Sequence, residues 1–131
     1  MYFSVGDGAG IGVARSVTRL PQGPFRDVLG KPLVEGVVKE AEGIDAQVFI
    51  DYEHSSDNNG NQDGGENGEG GGAGRNWLYF GGWGHAIVVE LGDDMVSLKG
   101  EYKEITPEGY AEGPWMMKRN GIYYLMFSVG G

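Results

Sequence analysis

An all-β chain is what these 131 residues predict, and three observations carry that expectation. Runs of aromatic and β-branched residues closed by glycine recur, as Met1-Tyr2-Phe3-Ser4-Val5-Gly6, Trp77-Leu78-Tyr79-Phe80-Gly81-Gly82 and Leu125-Met126-Phe127-Ser128-Val129-Gly130. Such residues fit a pleated, buried surface, so each run reads as a strand. The second and third superimpose at a separation of 47 residues, Leu78 on Leu125 and Phe80 on Phe127. That is close to the repeat of roughly 40–50 residues of four-stranded propeller blades. No stretch shows a convincing helical period. Val34 to Ala41 allows a turn or two of helix, but Gly36 and the Val37-Val38 pair weaken it.

The elements follow in order. Ile11 to Ser16 is a short strand, and Pro21-Gln22-Gly23-Pro24 is a turn. Ala46 to Asp51 is a strand that pairs, across an insertion, with Trp77 to Gly81. Ala86 to Leu91 is the next strand, closed by a turn at Gly92-Asp93-Asp94. Ser97 to Ile105, with alternating charges, is an exposed outer strand. Trp115 to Arg119 and Ile122 to Val129 form a hairpin through Asn120-Gly121, the pair that suits a type I′ turn. The insertion, 54–75, is rich in Gly, Asn, Asp and Glu and has no large apolar residue. It cannot bury enough surface to offset the entropy of ordering and is expected to be disordered. Asp57-Asn58-Asn59-Gly60-Asn61-Gln62-Asp63-Gly64 superficially resembles a Ca²⁺ loop, but no glutamate falls at the spacing such a loop needs.

The length suits one domain. Met1 to Val5 already reads as mid-strand and the last residues stop as another strand ends, so residues 1–131 are expected to be part of a longer domain. The lack of a signal peptide before Tyr2 then says nothing about export, and the compartment stays open. A net charge of −9 and a pI near 4.5 argue against a nucleic-acid partner, whose phosphates are bound by cations. No apolar run approaches membrane-spanning length. With no cysteine there is neither disulfide nor thiolate chemistry.

Two carboxylates stand at equivalent positions of the repeated unit: Asp45, ahead of the strand Ala46 to Asp51, and Glu112, ahead of Trp115 to Arg119. Paired acids at the heads of converging strands suggest acid–base chemistry. The bland alternative is that both cap strand ends as solvated turn residues. Trp83 and His85, in a connection on the same face, could stack on or hydrogen-bond a sugar, or equally pack on a neighbouring blade. A metal role for His85 has no partner cluster in the sequence. Trp115, Tyr123 and Tyr124 read as core between blades, and Lys118 and Arg119 as partners of surface acids.

The residues quoted resemble glycoside hydrolase family 43, five-bladed β-propellers that cleave arabinofuranosyl and xylosyl linkages. The matching stretches run in the family's order: Ile11 to Ser16 with Gly23-Pro24-Phe25 and Gly30-Lys31-Pro32-Leu33, then Ile44 to Asp51, Leu78 to Gly84, and Glu112-Gly113-Pro114 through Lys118 to Tyr124. Insertion apart, nearly the whole chain is covered. The resemblance implies the end of one blade, one full blade and half of the next. It makes Glu112 the general acid of an inverting hydrolase and Asp45 the residue that orients it and, with partial burial, raises its pKa. It places the general base on an inner strand before Met1; Asp7 and Asp27 are no substitutes, because neither begins an inner strand. It implies an oligo- or polysaccharide substrate and no cofactor. The family domain can hold a structural Ca²⁺, for which this chain offers no ligand cluster. A competing reading is a non-catalytic carbohydrate-binding or structural propeller piece. Tracing the blade puts the insertion on the face away from the acids, so it is not expected to act as a lid.

Overall fold

The computed structural model describes residues 1–52 and 74–130. Ten strands and no helix are found among them: β1 (Tyr2–Val5), β2 (Gly10–Ser16), β3 (Phe25–Asp27), β4 (Val34–Glu35), β5 (Gln47–Asp51), β6 (Arg75–Phe80), β7 (Ile87–Leu91), β8 (Leu98–Glu104), β9 (Tyr110–Arg119) and β10 (Ile122–Val129). The central sheet has the order β5-β6-β7-β8, every pair antiparallel, which is one whole propeller blade. Before it lies a sheet of β1-β2-β3 with β4 also set against β2; after it comes the hairpin β9-β10. The repeated aromatic runs hold equivalent places. β1 meets β2 as β6 meets β7, and β10 follows β9 as β6 follows β5. The chain is a partial β-propeller.

The core sits between the first sheet and the whole blade. Ile11 and Val34 from one side and Leu78, Phe80, Ile87, Val89 and Leu91 from the other are essentially inaccessible to solvent. Alternation explains the selection: Leu78 and Phe80, two apart on β6, share a face with Ile87 and Val89 on β7. Phe80 also meets Tyr102 edge-to-face at 6.1 Å. The Tyr2 hydroxyl donates to the Met95 carbonyl and ties β1 to the turn after β7.

Two parts of the sequence reading change. Val34 to Ala41 makes no helical turn; Gly36 has φ 64, which ends β4, and Val38 and Ala41 bridge across Lys39 and Glu40 at φ 47 and 67. Trp115, Tyr123 and Tyr124 are 57%, 50% and 45% exposed rather than core. The physical reason is that β9 and β10 form a two-stranded sheet, so among the described residues no strand covers the far edge of β10. The strand β3 was not anticipated. Arg75, assigned to the insertion, opens β6 and pairs with Asp51. The rest of the disorder expectation and the Asp57 to Gly64 comparison lie outside the described residues.

Side chains join β5 to β9. The Gln47 amide accepts from the Met116 N–H at 3.0 Å and donates to the Met116 carbonyl at 3.2 Å, so one buried side chain substitutes for a ladder rung between blades. Further along, Lys118 Nζ donates to Asp51 Oδ1 at 2.7 Å and the Tyr123 hydroxyl to Oδ2 at 2.6 Å. Burial alone would push the Asp51 carboxyl up, but these hydrogen bonds, and then the Lys118 and Arg75 charges, outweigh it and hold it below its ordinary value. Gln47→Leu is expected to cost about 1–3 kcal/mol, because it strands the Met116 N–H and carbonyl; denaturant unfolding checks it. Since the folded Asp51 pKa is depressed, its contribution is present above the unfolded value near 3.9 and is lost as pH falls through the folded one. Asp51→Asn should therefore flatten the acid limb of the stability–pH curve, and an unchanged limb would count against the assignment.

Candidate active site

β5 and β9 are parallel neighbours. Asp45 lies beside Gly113, Gln47 bonds Met116, and Asp51 bonds Lys118, so both strands ascend together from one face. That face is where the predicted acids sit. Asp45 immediately precedes Ala46 and β5, with φ 55, and its N–H donates to Ser4 Oγ at 3.4 Å. Its Oδ2 lies 3.9 Å from the point a Cβ on Gly113 would occupy. Glu112 is the third residue of β9, and its carbonyl accepts from Ser128 Oγ at 3.0 Å. The structure thus brings Asp45 and Glu112 to adjacent strand heads. Both are exposed, so the partial burial expected of Glu112 is not found among these residues.

Tyr110 joins them, a residue the sequence reading passed over. It stands two before Glu112 on β9, is buried, and donates its hydroxyl to the Gly81 carbonyl at 2.8 Å. Burial first, then the charges of Asp45 and Glu112, push its phenol far above the ordinary tyrosine value. One phenol is therefore within electrostatic reach of both carboxylates. The available signal was the i, i+2 spacing to Glu112.

The connection from β6 to β7 lies against the same face. Gly81 has φ 140, and a Cβ there would come 2.1 Å from the His85 carbonyl oxygen, so the tight return needs glycine. Gly84 N–H donates to the Ala111 carbonyl at 3.0 Å, which fixes the loop beside Glu112. Trp83, at φ 56 and 66% exposed, is the residue before Gly84 in this loop. His85 is turned elsewhere. Its Nδ1 lies 2.9 Å from Glu104 Oε1 and its Nε2 3.8 Å from Glu40 Oε2. Hydrogen bonds from His85 and then from Thr106 hold the Glu104 carboxyl below its ordinary value. Glu42 is a further carboxylate missed in the sequence; its side chain fills the space left by the absent Cβ atoms of Gly8 and Gly82.

Asp7 sits in the turn between β1 and β2, and Asp27 accepts from the N–H groups of Leu29 and Gly30 at 2.9 and 3.0 Å. Neither heads an inner strand. Among the described residues no three His, Cys, Asp or Glu side chains converge as metal ligands. The arrangement offers an exposed acid, a second carboxylate beside it, a buried phenol beneath and an open indole at the side.

Comparison with known proteins agrees on one group. A family model described as Glycosyl hydrolases family 43 matches residues 70–131. Over its whole length the chain is 63% identical to a β-D-galactofuranosidase of Aspergillus niger, of which it covers 33%. It is 32% identical to an arabinoxylan arabinofuranohydrolase of Bacillus subtilis, over 98% of this chain and 24% of that protein. The chain thus spans only 33% and 24% of these curated relatives. Among solved structures, an α-L-arabinofuranosidase of Clostridium thermocellum superposes with a TM-score of 0.74 at 32% identity, covering 98% of this chain and 38% of that one. The B. subtilis arabinoxylan arabinofuranohydrolase, solved with cellotetraose, gives 0.73 at 28% identity over 98% and 26%.

For Tyr110 the sign is that of a raised acid. Its neutral form is favoured in the fold, so its contribution holds below the unfolded value near 10 and is lost as pH rises through the folded one. Tyr110→Phe should remove a late-titrating phenol from the alkaline absorbance curve and destabilise by about 1 kcal/mol through the lost hydrogen bond. An unchanged curve would place the phenol elsewhere.

Proposed function

The chain belongs to glycoside hydrolase family 43, and from that premise we propose that it carries the acid-bearing part of an inverting glycosidase site. The observation that supports this best is the meeting of Asp45 and Glu112 at the heads of adjacent inner strands. Glu112 is the general acid: it gives its proton to the glycosidic oxygen as the bond from that oxygen to the anomeric carbon breaks. Water attacks the anomeric carbon from the opposite side and loses a proton to a base, which leaves inverted configuration. Asp45 orients Glu112 from the neighbouring strand head. Trp83 is the platform on which a sugar ring stacks, because an exposed indole offers an apolar face at a polar rim.

The substrate class is a furanoside. The relatives are named for galactofuranosyl and arabinofuranosyl groups, both five-membered rings. That favours the arabinofuranosyl half of the sequence expectation over the xylosyl half. Among the described residues, neither Asp7 nor Asp27 is placed to act as the base. Asp27 is engaged with backbone N–H groups and Asp7 lies in a turn off the inner strands. A strand head facing Glu112 about 6.5–9.5 Å away would be needed, with room for a water.

Residues 1–131 alone should therefore hydrolyse nitrophenyl α-L-arabinofuranoside and β-D-galactofuranoside no faster than a trace, since a general base is worth roughly 10²–10⁴-fold. Robust turnover abolished by Glu112→Gln would show that the chain holds its own base. An arabinofuranosyl oligosaccharide should still quench the fluorescence of Trp83, and Trp83→Phe should remove that quench. If quenching persists in the variant, the sugar lies elsewhere and the non-catalytic binding reading gains.

A further inference from the structure

Across the molecule from the acids, a groove is lined by Arg15, Ser16, Val17, Arg19, Arg26 and Asp27. β2 leaves the acid-bearing side at Gly10, where Ala9 bridges Gly43, and reaches its other end at Ser16. The groove therefore belongs to the opposite face and is no part of the candidate active site. We propose that it is a separate binding site for carboxylate groups of an acidic polysaccharide.

The charge placement is the reason. Arg15 and Arg26 are direct partners in the antiparallel pairing of β2 with β3, so both side chains stand on one face of the sheet. Like charges in that position repel. The chain has 19 Asp plus Glu against 10 Lys plus Arg, so a neutralising acid was statistically easy to supply. Among the described residues no Asp or Glu lies within ion-pair distance of Arg15, Arg19 or Arg26, whereas Arg75, Lys99 and Lys118 each have one. Asp27 is the acid in the groove, and its Oδ1 is occupied by the N–H groups of Leu29 and Gly30.

The groove is also held in shape. Thr18 Oγ1 donates to the Gly23 carbonyl at 2.7 Å, accepts from the Leu20 N–H at 3.4 Å and lies 3.1 Å from Ser16 Oγ. This turn carries Arg19 at φ 61, a backbone state a long side chain seldom adopts. Guanidinium groups grip oxyanions by paired N–H donors, and a carboxylate held between two of them relieves their repulsion. A uronic acid unit on a polysaccharide supplies that carboxylate on a neutral scaffold, without the dense charge of nucleic acid.

The choice of a polysaccharide scaffold rests on the proposed function, and of a xylan on the arabinoxylan in one relative's name; the anion specificity rests on the groove alone. The test uses residues 1–131 in affinity electrophoresis through glucuronate-bearing xylan, and through the same polymer with its carboxyls reduced to alcohols. Retardation by the acidic polymer only, falling about tenfold or more in Arg15→Gln/Arg26→Gln, and weakening with added salt, is the expected result. Lys31→Gln/Lys103→Gln, an equal charge change outside the groove, should retain binding, and Arg15→Lys/Arg26→Lys should restore part of it if all fold as the parent by circular dichroism. Equal retardation by the reduced polymer, or no effect of the double arginine variant, would overturn the proposal. Protection of the groove by sodium sulfate with no retardation by glucuronate xylan would overturn the carboxylate assignment. Because the readout is binding, an absence of hydrolysis leaves this result intact, and a loss of retardation leaves the furanosidase reading standing.

Discussion

Everything at the acid face depends on how β5 and β9 lie side by side without being hydrogen-bonded as a ladder. Strands of neighbouring blades meet face to face, so no backbone ladder fixes their relative height. Gln47 fixes it instead, by giving and taking a hydrogen bond at the single residue Met116. A slip of one residue would reverse which side chains point inward. With Gln47 set against Met116, Asp45 comes level with Gly113 and Asp51 level with Lys118. The Asp51–Lys118–Tyr123 group repeats the constraint at the other end, so the two strands are pinned twice. The two acids meet because the strands that carry them are locked in height.

Much of this was legible in the sequence, for identifiable reasons. The strands β2, β5, β7, β8 and β10 announce themselves because their side chains alternate or run apolar over a strand's length, and Asn120-Gly121 names its own turn with φ 52 and 76. The equivalence of Asp45 and Glu112 was visible because the aromatic repeat marks corresponding strands. Burial was harder to read. Trp115, Tyr123 and Tyr124 carry the chemistry of core residues, yet burial depends on what lies across from them, which composition does not encode. β3 is three exposed residues and leaves no hydrophobic period at all. Tyr110 and Glu42 escaped notice because their roles depend on Gly81, Gly8 and Gly82, glycines far away in sequence whose missing Cβ atoms or free carbonyls only folding reveals.

Positive-φ backbone occurs both in the turns and at the candidate site. Several non-glycine residues have positive φ. Asn120 has an ordinary explanation, as half of a two-residue hairpin, and Lys39 with Glu40 fills the same role between Val38 and Ala41. Trp83 is the first central residue of a turn that the His85 N–H closes on the Gly82 carbonyl at 3.2 Å, with Gly84 at φ 81 as the second, and tryptophan is costly there. Asp45 lies at no such turn centre, but aspartate tolerates this region better than most residues. Both lie on the acid face, on either side of Ile44, whose carbonyl accepts from the Gly81 N–H at 3.0 Å and whose side chain lies against Gly82. The tight return that requires glycine at 81, with the Gly84 N–H bond to the Ala111 carbonyl, holds the Trp83 turn against Ile44 and Asp45. Strain that persists must be held by its surroundings, and here those surroundings are the core contacts of Phe80 and Ile87 immediately before and after the loop. Relaxing either residue would swing a carboxylate or an indole out of the space above Tyr110, and the face would lose the convergence on which its chemistry depends.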